Sequence, residues 1–526
     1  MKATERSLLR MFELTVLLSA AVASSMAQNP APLGPVAHAG VKFARVYALI
    51  QEHAMDRLDP DHLVFDGGIR GMLATLDPFS AFFDPEQFAM LQRQTRGEAL
   101  GFGSILYVTP GKVLVLETAR GSPSWRAGLG PGDRIVEVNG HRLDTLSFPS
   151  MIQLLRQARS HPVRLGVIHP GHYVAQDVEL EPAEVALPTV DMDFKFARAD
   201  IGYIHISGFE EQTPVEVYQG IEKLGGARLK GLLLDLRDNH GGLVASAVRV
   251  ASLFLKPGRV VLTIRGRSVK PQIERTLPAP SLFTFPIVVL VNGGTASAAE
   301  ILSAALEEHD RAVIAGEPTF GKGLVQSVLP LPDHTGMALV TAQYFTPSGR
   351  SIQRPLPGTA LARSSLDLGQ PSRFYTDDGR PLRGGGGITP DVTIPGLVFD
   401  PWMSFLGEGG YFTRFASHYL SLHARPPRSF EPDAKVLDDF RQYLHSDDVR
   451  APEPYWSRDQ AWLKLRIRAA LLNLVYGLKV GNEAEMRGDP QVQKALALFP
   501  RVESILRGPA GAHAATRPAA GHPPQS

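Results

Sequence analysis

The chain has 526 residues, room for about three domains at the usual domain size. Its 44% apolar and 20% charged residues suit a folded globular protein, and a net charge of +1 gives no reason to expect nucleic acid as a partner. The absence of cysteine excludes disulfides, thiol chemistry and cysteine-ligated metals.

Residues 1–27 read as a secretory signal. Lys2, Arg6 and Arg10 give a positive start, residues 14–23 an apolar stretch, and Ser25-Met26-Ala27 small residues for cleavage. Export to the periplasm is the expectation. An uncleaved signal acting as a membrane anchor is the alternative, disfavoured because the apolar run is short for a span. Residues 28–96 open with the linker QNPAPLGP and continue as a helical N-terminal region. Phe43, Val46 and Ile50, then Ile69, Met72, Leu73 and Leu76, recur at helical spacing. Leu76-Asp77-Pro78-Phe79-Ser80 breaks this pattern with a turn. The whole segment is expected to pack helices and to take no part in chemistry.

Residues 97–184 form the next unit. Leu100-Gly101-Phe102-Gly103 precedes a predicted strand at 104–108, and a second strand follows at 113–117. A turn and short helix at 121–129 lead into Gly132-Asp133-Arg134-Ile135-Val136-Glu137-Val138-Asn139-Gly140. The glycine loop joined to SPSWRAGLGPGDRIVEVNG resembles a PDZ domain. That resemblance implies strand addition: a peptide C-terminus pairs with an open sheet edge and loop amides hold its carboxylate. Leu100, Gly101, Phe102 and Gly103 would form the carboxylate loop.

Residues 185–400 alternate strands and helices. The 231–236 run is continuously apolar, as for a strand covered on both faces. It ends in Arg237-Asp238-Asn239-His240-Gly241-Gly242, where glycines permit close backbone approach. Amides of Gly241 or Gly242 are therefore candidate oxyanion donors. A second apolar strand at 286–291 leads through Asn292-Gly293-Gly294 to Ser297 and a helix. Strand, glycine turn, serine, helix lifts a hydroxyl onto the positive end of a helix dipole. Ser297 is the candidate nucleophile, and the Ala298 amide a further oxyanion donor. After a strand at 312–316 comes Thr319-Phe320-Gly321-Lys322-Gly323, with Gln326 four positions beyond the lysine. That spacing puts both side chains on one face of a strand or helix. A serine hydroxyl needs a group to take its proton, and lysine can do so only when neutral. Lys322 is the candidate base and Gln326 the amide that holds it. Ser297-x-x-Glu300 is also a capping box, in which a serine merely caps its helix. His240 is set aside as an exposed loop histidine. Strands at 324–329 and 337–345 follow, then an irregular stretch at 354–385. Residues 401–505 return to helical periodicity, and the tail at 506–526 is too poor in apolar residues to build a core.

The stretch VNGGTASAAEILSAALEEHDRAVIAGEPTFGKGLVQ resembles the active-site segment of the C-terminal processing peptidases, or tail-specific proteases. The loop DLRDNHGG resembles the same family, with His240 where a proline is usual. The resemblance implies an α/β multidomain fold. The PDZ domain precedes an α/β, ClpP/crotonase-like serine protease core, with helical N- and C-terminal regions. It implies a Ser297–Lys322 dyad oriented by Gln326, no metal or organic cofactor, and protein substrates with exposed C-terminal tails. It also implies homo-oligomers, an adaptor protein in some bacteria, an LDP-x-S turn used in oligomer contacts, and Arg156 as a regulatory link from the PDZ domain to the site, where a plain surface charge is the alternative. Two rival classes are a non-catalytic PDZ scaffold and a Ser-Lys hydrolase of cell-wall amides. The second requires S-x-x-K, and Glu300 stands at that lysine position.

Overall fold

The computed structural model describes residues 34–197, 199–278, 282–359 and 373–507. The expected signal, most of the linker and the tail from residue 508 lie outside the described residues. The chain divides into two compact units between Ala74 and Thr75. In the first, the helix Gly34–His53 begins inside the expected linker, and helical turns follow at His62–Ile69 and Arg70–Ala74. Phe43 packs on the bare backbone of Gly68, where a Cβ would lie 2.9 Å from its Cζ. No helix among the described residues is long and apolar enough to cross a membrane.

The second unit is built on a six-stranded sheet. Val190–Phe196 runs antiparallel to Ile201–Ile206, and Gly231–Asp235, Ile287–Val291, Val313–Gly316 and Val392–Thr393 then follow in parallel. Gly231–Asp235 and Ile287–Val291 are buried along their whole length, which is why their sequences run apolar without alternation. Helices Thr213–Leu224, Val244–Ser252 and Ala298–Glu308 cover one face through Val217, Ile221, Ala247, Val250 and Ile301. The other face is closed by the end of the chain. Val492, Ala495 and Val502 pack on Tyr203, Leu233 and Val288. The helical C-terminal region therefore serves two cores, because Trp402, Phe412, Phe415 and Phe440 form a separate cluster.

A second sheet pairs Gly336–Phe345 with Leu324–Pro330 on one side, and with Val260–Arg265 and Ala81–Phe83 on the other. The strand Ala81–Phe83 lies in the segment expected to be wholly helical. Its partner is Gly336–Ala338, so no local periodicity encodes it. The PDZ-like unit has the strand order Ser104–Thr109, Lys112–Thr118, Arg134–Val138, Val163–Ile168, Gln176–Leu180, which leaves Ser104–Thr109 at the edge. Its sheet docks on the aromatic C-terminal cluster. Leu114 enters that cluster, the Tyr107 hydroxyl donates to the Gly410 carbonyl at 2.8 Å, and Lys112 Nζ donates to Ser417 Oγ at 2.9 Å.

Candidate active site

Ser297 stands between the strand Ile287–Val291 and the helix Ala298–Glu308, with φ 54° and ψ −117°. A non-glycine residue in that region costs about 1–3 kcal/mol and persists only where its surroundings over-determine it. They do so here. The Thr295 hydroxyl donates to the Leu236 carbonyl at 2.8 Å and accepts the Asn292 N–H at 3.0 Å. The Ala296 N–H reaches the Asn239 carbonyl at 2.9 Å, and the Tyr344 hydroxyl donates to the Ser297 carbonyl at 3.2 Å. Asn292 and Asp238 exchange two hydrogen bonds of 2.9 Å, which latches the serine turn to the glycine loop.

The capping-box partner Glu300 is the centre of the site. Its side chain is fully buried, and four donors converge on it. Oε1 accepts from the Thr319 hydroxyl at 2.5 Å and the Gly321 N–H at 2.8 Å. Oε2 accepts from the Ser297 N–H and the Lys322 N–H, both at 2.9 Å. The backbones of the two candidate catalytic residues are thus held within two hydrogen-bond lengths of each other by one oxygen atom. Burial raises the Glu300 pKa, and the four donors pull it back. The S-x-x-E spacing was the signal for this residue, but it reads as ordinary capping until Lys322 arrives from 22 positions away.

Lys322 lies in the loop before Leu324–Pro330, the strand that carries Gln326. Its Nζ donates to Gln326 Oε1 at 2.5 Å, and Gln326 Nε2 donates to the Phe79 carbonyl at 2.8 Å. The Phe79 ring centroid lies 4.6 Å from Nζ. Burial lowers the lysine pKa, while the charges of Asp77 and Glu300 raise it; burial wins. Among the described residues no hydrogen bond joins the Ser297 hydroxyl to the Lys322 amine. The Leu76–Ser80 turn, read from the sequence as packing alone, therefore meets both Lys322 and Gln326.

The glycine loop abuts the serine. Gly241 has φ +96°, and a Cβ there would lie 2.7 Å from Ser297 Cβ and 2.8 Å from the Ala298 nitrogen. The Gly241 N–H is occupied by Asn239 Oδ1 at 2.8 Å, whereas among the described residues the Gly242 and Ala298 amides have no acceptor. Asn239 is fully buried and also donates to the Ile206 carbonyl at 2.7 Å. Below the loop, Arg237 joins buried Asp235 to Asp489 and Gln491 of the closing helix. His240 is exposed and faces the Gly294 carbonyl at 3.2 Å.

In the PDZ-like unit, Gly101 ends a strand paired with Ala183–Ala186, and Phe102 and Gly103 follow as a loop before the edge strand. Gly103 has φ +74°, and a Cβ there would lie 2.3 Å from Ser122 Cβ. Arg156 is exposed, and among the described residues its side chain has no hydrogen-bond or ion-pair partner. The neighbouring Arg159 instead donates to the Leu100 carbonyl at 3.2 Å. One helical turn separates the two arginines, and among the described residues Arg159 is the one bonded to the loop.

Comparison with known proteins matches residues 200–359 to peptidase family S41 and residues 114–168 to the PDZ domain. A carboxyl-terminal-processing protease of Synechocystis is 35% identical over 291 residues, covering 54% of this chain and 68% of the relative. The carboxy-terminal processing protease CtpA of Bacillus subtilis is 32% identical over 314 residues, covering 60% of this chain and 66% of the relative. Among solved structures, a photosystem II D1 C-terminal processing protease is 29% identical, over 67% of this chain and 86% of that one, with a TM-score of 0.37. The chain belongs to the carboxyl-terminal processing protease family, with a PDZ domain ahead of a family S41 serine protease domain.

Proposed function

We propose that this protease cleaves with a Ser297–Lys322 dyad and that its PDZ domain recognises the C-terminal tails of its substrates. The observation that carries the reading is the shared Glu300 oxygen, which binds the backbone N–H groups of both residues at 2.9 Å. Neutral Lys322 takes the Ser297 proton as the hydroxyl oxygen attacks the scissile carbonyl. Gly242 and Ala298 are the oxyanion donors, since among the described residues their amides have no acceptor while that of Gly241 is taken. The protonated lysine then gives its proton to the leaving amine. A water, deprotonated by the same lysine, hydrolyses the acyl-enzyme. The absence of a hydroxyl–amine hydrogen bond among the described residues fits a resting arrangement that closes on substrate, since catalytic hydrogen bonds often tighten only in the complex.

The tail enters as a strand along the edge Ser104–Thr109, with its carboxylate at Leu100, Gly101, Phe102 and Gly103. Export to the periplasm follows from the charged and apolar start of the chain. Self-association and an adaptor remain part of this reading on family resemblance alone. The missing hydroxyl–amine hydrogen bond among the described residues also favours one alternative, a non-catalytic scaffold that binds tails without cutting them. Digestion of an unfolded casein separates the two. Turnover that is lost in both Ser297→Ala and Lys322→Ala, with tail-peptide binding intact, is expected. Tail binding by the wild type without any turnover refutes the dyad.

A further inference from the structure

We propose that the Leu76–Ser80 turn is a positioning element of the catalytic site: Phe79 fixes the orientation of the Gln326 amide, and through it the free lone pair of Lys322. The inference rests on the dyad proposed above. It begins from one asymmetry. A backbone carbonyl can only accept a hydrogen bond, so the amide facing the Phe79 carbonyl must present its NH2 group. The amide oxygen is then left for Lys322, whose Nζ donates to it at 2.5 Å. A neutral amine has one lone pair and two N–H groups. Spending an N–H on Gln326 keeps the lone pair available for the Ser297 proton. Were the amide reversed, its NH2 would donate into that lone pair and the lysine would cease to be a base.

The turn is built to hold this carbonyl still. Asp77 is buried, and its Oδ1 accepts the N–H groups of Phe79 at 2.8 Å and Ser80 at 2.7 Å. Its Oδ2 accepts the Ser80 hydroxyl at 2.8 Å, and that hydroxyl oxygen accepts the Val340 N–H at 3.1 Å. The strand Ala81–Phe83 then ties the turn to Gly336–Ala338 of the sheet that carries Gln326. The Phe79 ring closes over Nζ, so the same residue touches the amine with its side chain and the amide with its carbonyl. The charged groups facing Lys322 are Asp77 from this turn and Glu300 from the serine helix. The ring and the Asp77 charge both favour the charged amine, and removing either moves its titration downward.

The test is casein turnover by the full chain as a function of pH, with kcat and KM separated. Asp77→Asn is expected to lower kcat about tenfold at constant KM. It should also move the acid limb of the profile to lower pH. Phe79→Leu keeps the carbonyl and the Asp77 bonds. It should move the limb down by about half a unit with a smaller loss of kcat. Ser80→Ala removes the hydroxyl that ties the turn to Asp77 and Val340, so if Asp77→Asn does not fold, an unchanged kcat in Ser80→Ala overturns the inference. An active Lys322→Ala protein overturns the dyad, and this inference with it. An inactive Lys322→Ala protein beside unmoved Phe79→Leu and Asp77→Asn profiles overturns this inference alone. So does a rise in KM at constant kcat in both turn variants, which would make the turn a wall of the substrate cleft.

Discussion

Glu300 offers the sharpest test of how the site is held together. In Glu300→Gln one oxygen becomes an NH2 group, and the side chain has two ways to sit. With the NH2 toward Ser297 and Lys322, two buried N–H groups lose their acceptor. With the NH2 toward Thr319 and Gly321, the Gly321 N–H is orphaned, and the Thr319 hydroxyl, which already accepts the Ile388 N–H at 2.7 Å, can accept from the NH2 only by turning its own proton away. Each buried donor left unpaired costs about 1–3 kcal/mol, and a hydroxyl can rotate where a backbone N–H cannot, so the second orientation wins, with a stability loss of at least about 1–3 kcal/mol. The bonds to Ser297 and Lys322 survive, without their charge assistance, and kcat should fall only about tenfold. Glu300→Ala leaves all three N–H groups and the Thr319 hydroxyl without the carboxylate. The variant should be severely destabilised, and any folded fraction should lose at least about a hundredfold in kcat. Both variants remove a negative charge that raises the Lys322 pKa, so the acid limb of activity should move to lower pH in each. Thermal unfolding together with kcat measured across pH reads all three quantities. A folded Glu300→Ala protein with wild-type kcat would refute the account of the carboxylate as the tie between nucleophile and base.

Two other substitutions probe close backbone approaches. Gly241→Ala places a methyl group 2.7 Å from Ser297 Cβ, at a φ of +96° that alanine tolerates poorly. It should cost about a hundredfold in kcat with little change in tail binding, checked by casein turnover and peptide titration. Gly410→Ala places a Cβ 1.7 Å from the Tyr107 hydroxyl oxygen at the PDZ–helix contact. A stability loss of about 2 kcal/mol is expected, with faster hydrogen exchange around Tyr107 and Lys112. Unchanged exchange there would count against the docking of the PDZ sheet on the C-terminal helices.

The strands 231–236 and 286–291 were legible because a parallel sheet covered on both faces demands continuous apolar runs. Ser297, Lys322, Gln326 and the glycine loop could be nominated from the sequence because each sits in a short motif whose proposed chemistry needs those residue types at that spacing. The role of Glu300 was half legible: the capping box pointed to its bond with the Ser297 N–H, but not to the donors at Thr319, Gly321 and Lys322. The contacts of Phe79 with Lys322 and Gln326 were illegible, since they join parts of the chain 247 positions apart through a strand of three residues. The bond from Arg159 to the Leu100 carbonyl was also illegible, because spacing along a helix gives a face but not which neighbour that face meets.

Local sequence thus determined which groups are candidates for the chemistry, since hydroxyl, amine and amide identities and the turns that present them are short-range properties. Tertiary structure decided what holds those groups and which candidate oxyanion amides lack an acceptor among the described residues. Those are matters of hydrogen-bond partners brought together only when distant segments pack, and one buried carboxylate with four donors can be satisfied in only one way.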